Sequence, residues 1–130
     1  MVALDTNVLV RYVIQDDKQQ SQQVNHVIET LTPDAQGFIS CVVLCELIWV
    51  LESAYQVNKT DCIAVLKRLC SIPVFDIERL HVVLRAVKYY EHGKADFSDY
   101  LIREIAEEEG YDTVLTFDKK ALASDGFHQP

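Results

Sequence analysis

Basic charge is scarce in this chain. Twelve Lys and Arg stand against 20 Asp and Glu, a formal net charge of −8 over 130 residues. Phosphate contacts are made by Lys and Arg, so this balance argues against an ordinary nucleic-acid binder. It argues less if the negative charge is gathered where cations bind. Long hydrophobic runs are lacking as well. The most apolar stretch, CVVLCELIWVL (41–51), is interrupted by Glu46 and falls short of the ~18–20 residues that a membrane helix needs. No basic segment precedes an apolar core at the N-terminus, and Asp5 comes almost at once. The expectation is a cytoplasmic protein with no secretory signal and no membrane association.

Paired cysteine motifs are missing too. Cys41, Cys45, Cys62 and Cys70 form no C-x-x-C and lie in apolar stretches. Cys41 and Cys45 are spaced to share one helix face, but no neighbouring His or Cys completes a zinc site. Buried, reduced thiols are expected. The histidines (His26, His81, His92, His128) are scattered without ligand spacing. There is no G-x-S-x-G, no G-x-x-x-x-G-K-[ST] and no G-x-G-x-x-G, which removes the sequence signals for serine-hydrolase, P-loop and dinucleotide chemistry. Internal repeats, low-complexity segments and linkers are absent, so the length predicts a single domain over 1–130.

What is present is alternation. Short apolar runs at 2–4, 37–40, 73–75, 113–117 and 126–127 are separated by segments of helical period. That pattern predicts an α/β fold with a mostly parallel sheet covered by helices. Val24, Val27, Ile28 and Leu31 line one helix face, as do Cys62, Val65, Leu66 and Leu69, and Leu80, Val83, Leu84 and Val87. Pro33 and Gly37 are read as ending the first of these. Ser40 is the expected cap of a helix from Cys41 to about Tyr55, and Asp76 of the helix after PVF. Trp49 and Tyr55 are assigned to core packing ahead of an interface.

In a parallel sheet with helical crossovers the strands end at one edge, and ligands bind beyond it. Asp5 ends the first run and Asp118 the fourth. Glu46 lies in the second turn of its helix, and helical side chains lean towards the N-terminus. Asp96 and Asp99 open the helix before the fourth run. Acids at helix starts often do nothing but cap, and D-x-x-D over 96–99 has the capping spacing. Asp5 is harder to explain that way, since Thr6 and Asn7 offer caps without it. Glu46 is hardest, because a lone carboxylate in an apolar helix costs several kcal/mol if buried. Clustered carboxylates raise one another's pKa, and a hard divalent cation such as Mg²⁺ or Mn²⁺ relieves that repulsion. Such a centre suits hydrolysis of a phosphate ester.

DTNVLVRY, the glutamate in SCVVLCELIWVL, ADFSDYLI and TVLTFDKKA, in that order, resemble the PIN domain, in particular the VapC-type ribonuclease toxins of toxin–antitoxin pairs. The resemblance implies a three-layer α/β/α sandwich with a central mostly parallel sheet. It implies a Mg²⁺- or Mn²⁺-dependent endoribonuclease whose four acids match Asp5, Glu46, Asp99 and Asp118. Thr6, Asn7 and Thr116 match the supporting polar positions. Asp96 is read as a cap and a water-mediated ligand, with Asp99 as the primary ligand. Tyr100 departs from the alanine that many members carry, with no functional consequence expected. The resemblance further implies an RNA substrate, an antitoxin partner and a homodimer. Arg11, Lys94, Lys119 and Lys120 flank the motifs as candidate phosphate contacts. Three alternatives stay open: a PIN-fold binding module without activity, a metal-dependent phosphatase of another α/β family, and a phosphorelay receiver. The phosphatase reading lacks a second Asp at position 7, and the receiver reading lacks its lysine at the end of a late strand.

Overall fold

A computed structural model describes residues 1–130. The chain divides into two compact units, Met1–Glu78 and Arg79–Pro130. Both are built from helices and parallel strands, the α/β class expected.

In the first unit, β1 (Val2–Ala3), β2 (Gly37–Ile39) and β3 (Phe75–Ile77) form a parallel sheet in the order β1-β2-β3. The chain returns between strands through α1 (Thr6–Ile14) and α2 (Lys18–Thr30), then through α3 (Cys41–Ala54) and α4 (Lys59–Ser71). Strand side chains alternate as the pleat requires. Ile39 and Ile77 are partners facing inward, whereas Phe38 and Asp76 are partners facing outward. Leu9, Leu44, Leu47, Leu51, Cys62 and Leu66 fill the core without solvent exposure.

Helix α3 starts where Ser40 accepts a hydrogen bond from the Val43 N–H (3.2 Å). A second acceptor comes from far along the chain: the Glu78 carboxylate takes the Cys41 N–H at 2.8 Å. Two orphan donors of the first turn are thereby satisfied.

The second unit holds α5 (Leu80–His92), α6 (Phe97–Glu108), β4 (Val114–Leu115), α7 (Lys119–Leu122) and β5 (Phe127–His128). Strands β4 and β5 pair in parallel. Gly110, at φ +94°, follows α6 and turns the chain. Val82, Val83 and Ala86 of α5 pack with Phe97, Tyr100 and Leu101 of α6 in its core. Glu104 is buried and shared by two guanidiniums, Arg85 and Arg103, each at 3.1 Å.

Several expectations are corrected. The third strand is displaced to Phe75–Ile77, so Asp76 is a strand residue paired with Phe38 and caps nothing. Helix α5 instead begins after Arg79, whose left-handed backbone (φ 51°) turns the chain. Helix α2 does stop where expected, at Thr30, with Leu31, two residues before Pro33, as its C-cap. The first strand is not buried: Val2 is 46% exposed, because β1 is the terminal strand of its sheet and only Leu4 beyond it enters the core. Val27 and Leu84 lie on the exposed margins of their helical stripes. Trp49 is 70% exposed and Tyr55 only half-buried, because Leu44, Leu47, Ile48 and Leu51 occupy the inward face of α3. None of the four cysteines is in a disulfide, and only Cys41 and Cys62 are buried. No helix is long and apolar enough to cross a membrane.

Candidate active site

The opening stretch places its acid where strand turns to helix. Asp5 follows β1 with extended backbone and is itself the N-cap of α1, its Oδ1 accepting the Thr6 N–H at 2.8 Å. The cap is therefore not left to Thr6 or Asn7. Thr6 is buried and turns its hydroxyl to Glu46, donating to Oε1 at 3.0 Å. Glu46 is exposed in the second turn of α3, so it carries no burial penalty and its orientation is set by one tertiary hydrogen bond. The adjacent Cys45 thiol is pushed up to about 11, by burial first and by the Glu46 charge second. It is a poor nucleophile at neutral pH. Asn7 is exposed one residue beyond Thr6.

The second unit gathers three acids. Carboxylate oxygens of Asp96, Asp99 and Asp118 all lie within 4.8 Å of one another. Asp96 occupies the N-cap position of α6, and its N–H donates back to Asp99 Oδ2 at 3.1 Å. Asp118 caps α7 through Oδ1, which accepts from the N–H groups of Lys120 (2.8 Å) and Ala121 (3.4 Å). Thr116 holds that cap in place, its hydroxyl oxygen accepting the Asp118 N–H at 3.0 Å. Burial raises the Asp99 pKa; the hydrogen bond from Asp96 opposes the rise, and the charges of Asp118 and Asp96 add to it.

One feature is common to Asp5, Glu46, Asp99 and Asp118. In each, one carboxylate oxygen accepts a hydrogen bond from the protein, while the second has no protein donor. The anchored oxygen fixes the side chain, and the other is presented for a ligand. The donor set of the trio suits a hard cation. Mg²⁺ takes oxygens at 2.0–2.1 Å, so two direct ligands are separated by at most about 4.2 Å. A spread of up to 4.8 Å fits one ion held by some acids directly and by others through water.

The candidate phosphate contacts differ among themselves. Lys94, Lys119 and Lys120 are exposed. Arg11 is already engaged, with Asp16 at 2.8 Å, Gln20 at 2.7 Å and the Tyr55 hydroxyl at 3.2 Å. Tyr100 does have a role that its sequence position hid. It is buried, its hydroxyl lies 2.8 Å from Ser124 Oγ, and it accepts the Ala95 N–H at 3.3 Å. The only sequence signal was a large residue where the resembled family often has alanine.

The chain is 24% identical over 121 residues to a VapC ribonuclease of Aquifex aeolicus (strain VF5), covering 92% of this chain and 89% of that protein. The crystal structure of Mycobacterium tuberculosis VapC20, a Sarcin-Ricin loop cleaving toxin, matches 95% of this chain and 94% of its own at a TM-score of 0.47 and 16% identity. The PIN domain model matches residues 2–125, nearly the whole length, and the chain belongs to the PIN domain family.

Proposed function

We propose that this protein is an endoribonuclease of the VapC kind, the toxin of a toxin–antitoxin pair. Three carboxylates within 4.8 Å of one another at helix starts carry the reading. Membership of the PIN family and similarity to a VapC ribonuclease along nearly the whole chain support it.

In this reading residues 1–130 act as one PIN domain, and Asp5, Glu46, Asp99 and Asp118 are the catalytic acids. They would hold Mg²⁺ or Mn²⁺, with Asp96 as an outer acid of the group it forms with Asp99 and Asp118. A divalent cation so bound stabilises charge on a phosphodiester and makes water more acidic. Glu46 accepts the proton of the attacking water, its carboxylate aimed by the Thr6 hydroxyl. Thr6 thus orients a catalytic group, Thr116 orients Asp118, and Asn7 is placed to hydrogen-bond substrate. Lys94, Lys119 and Lys120 meet RNA phosphates; Arg11 does so only by giving up Asp16. The protein works in the cytoplasm. Its antitoxin covers the acids with an Arg- or Lys-bearing segment, which an acidic site favours. Val42 and Trp49, seven residues apart on the exposed face of α3, supply apolar surface for a homodimer.

The test is cleavage of RNA by the purified chain in Mg²⁺ or Mn²⁺, with and without chelator, beside the Asp5→Asn variant. Cleavage that stops with chelator and with Asp5→Asn, while the variant keeps its fold, is expected. Activity that survives Asp5→Asn places the chemistry elsewhere.

A further inference from the structure

The second unit contains a cleft of about 420 Å³, within the ~300–1,000 Å³ range of small-ligand sites. Tyr89 of α5, the His92–Lys94 loop, Tyr100 and Arg103 of α6, and Ser124 line it. Asp125 is its single carboxylate. The cleft adjoins the acids in the chain itself: Tyr100 directly follows Asp99, and Lys94 lies two residues before Asp96. Two residues span at most about 7 Å of backbone.

Its chemistry is that of a nucleotide site. Lys94 and His92 are exposed and engaged in no ion pair. Tyr89 is 48% exposed, and the Arg103 guanidinium sits 4.3 Å from its ring centroid. That guanidinium is held in turn by Glu104 (3.1 Å) and the Asp125 carbonyl (2.8 Å). A half-open aromatic ring backed by a fixed cation is a platform on which a base stacks. The rim is rigid. A Cβ added at Gly93 would collide with the Tyr100 hydroxyl, which also receives the Ala95 N–H and meets Ser124. The loop bearing Lys94 is thus clamped on both sides of that lysine.

We infer that this cleft binds the ribonucleotide next to the cleaved bond, its base on Tyr89 and its phosphate on Lys94 and His92, with Tyr100 as the positioning residue of the loop. The inference rests on the ribonuclease reading above, but its test does not require cleavage. A five-nucleotide oligoribonucleotide is titrated into the full chain at low salt, in EDTA and in Ca²⁺, and binding is followed by calorimetry. Tyr89→Ala weakens binding roughly 10-fold and Tyr89→Phe retains it. Lys94→Ala, an exposed loop substitution with little bearing on folding, lowers the salt slope by about one. In steady-state cleavage both raise KM and leave kcat nearly unchanged. An oligoribonucleotide that fails to bind, or binds these variants as it binds the wild type, overturns the subsite even if RNA is cut. So does its displacement by a short acidic peptide that binds the cleft more tightly. Binding that responds to both variants in a chain that cuts no RNA upholds the subsite and sinks the nuclease reading.

Discussion

The acids of the first unit and those of the second are held in different ways. Asp5 and Glu46 are organised by one buried residue, Thr6, which gives its N–H to one and its hydroxyl to the other. Asp96, Asp99 and Asp118 are organised by backbone N–H groups at two helix starts. Within the trio the Asp99 pKa is raised, by burial first, with the charges of Asp118 and Asp96 adding to the rise. The contrast shows that capping and ligation are not rival explanations of an aspartate. A carboxylate has two oxygens, and in Asp99 and Asp118 one satisfies a helix while the other remains available. The pair depends on a tertiary contact; the trio depends mainly on local spacing.

That contrast can be broken at several levels. The largest effect is expected from Asp99→Asn compared with Asp5→Asn. Both should lower RNA cleavage at least about 100-fold, since even residues that only orient a ligand are worth ~10–100-fold. If one variant stays active while the other is dead, the two groups do not serve a common reaction. Thr6→Val should come next, with a loss of about 10-fold or more in kcat, while Thr6→Ser keeps the hydroxyl and the activity. A Thr6→Val enzyme with unchanged kcat would show that Glu46 needs no support. On stability, Asp118→Ala removes the cap of α7 and should cost about 1 kcal/mol in chemical denaturation. No loss would mean that α7 is held by its other contacts, such as buried Ala121.

The smallest effect concerns pH. The Asp99 pKa is raised in the folded chain, so folding favours its protonated form. Native stability therefore falls as pH rises from the unfolded carboxylate value, near ~3.9, through the folded one. Without divalent cation, Asp99→Asn should gain thermal stability relative to the wild type over that rise, then hold a constant advantage. Added Mg²⁺ should narrow the gap. A difference that ignores both pH and metal would remove charge crowding from the account of the trio.

How much of this was legible depended on how local the signal was. Helix α3 was bounded within a residue of its observed end, and Ser40 was identified as its cap, because both are written in neighbouring residues. The 96–99 spacing gave its hydrogen bond for the same reason. The third strand was misplaced because PVF and FDI are equally short, and pairing with Gly37–Ile39 decides between them. That error carried Asp76 with it. Trp49 was misassigned because α3 is apolar nearly all round, so sequence periodicity does not say which face turns inward. Tyr100 gives no signal of its contacts in the sequence because its partners, Gly93 and Ser124, are distant along the chain or too small to mark a contact.

The Gly93–Tyr100 contact also limits how this chain can change. No methyl group fits at position 93 while the phenol is there, and shortening the phenol would leave a hole and a released loop. Neither position can drift by itself; a lineage would have to alter both, or neither. Substitution tolerance measured across the whole chain should therefore fall sharply at this glycine, which has no side chain to offer a ligand.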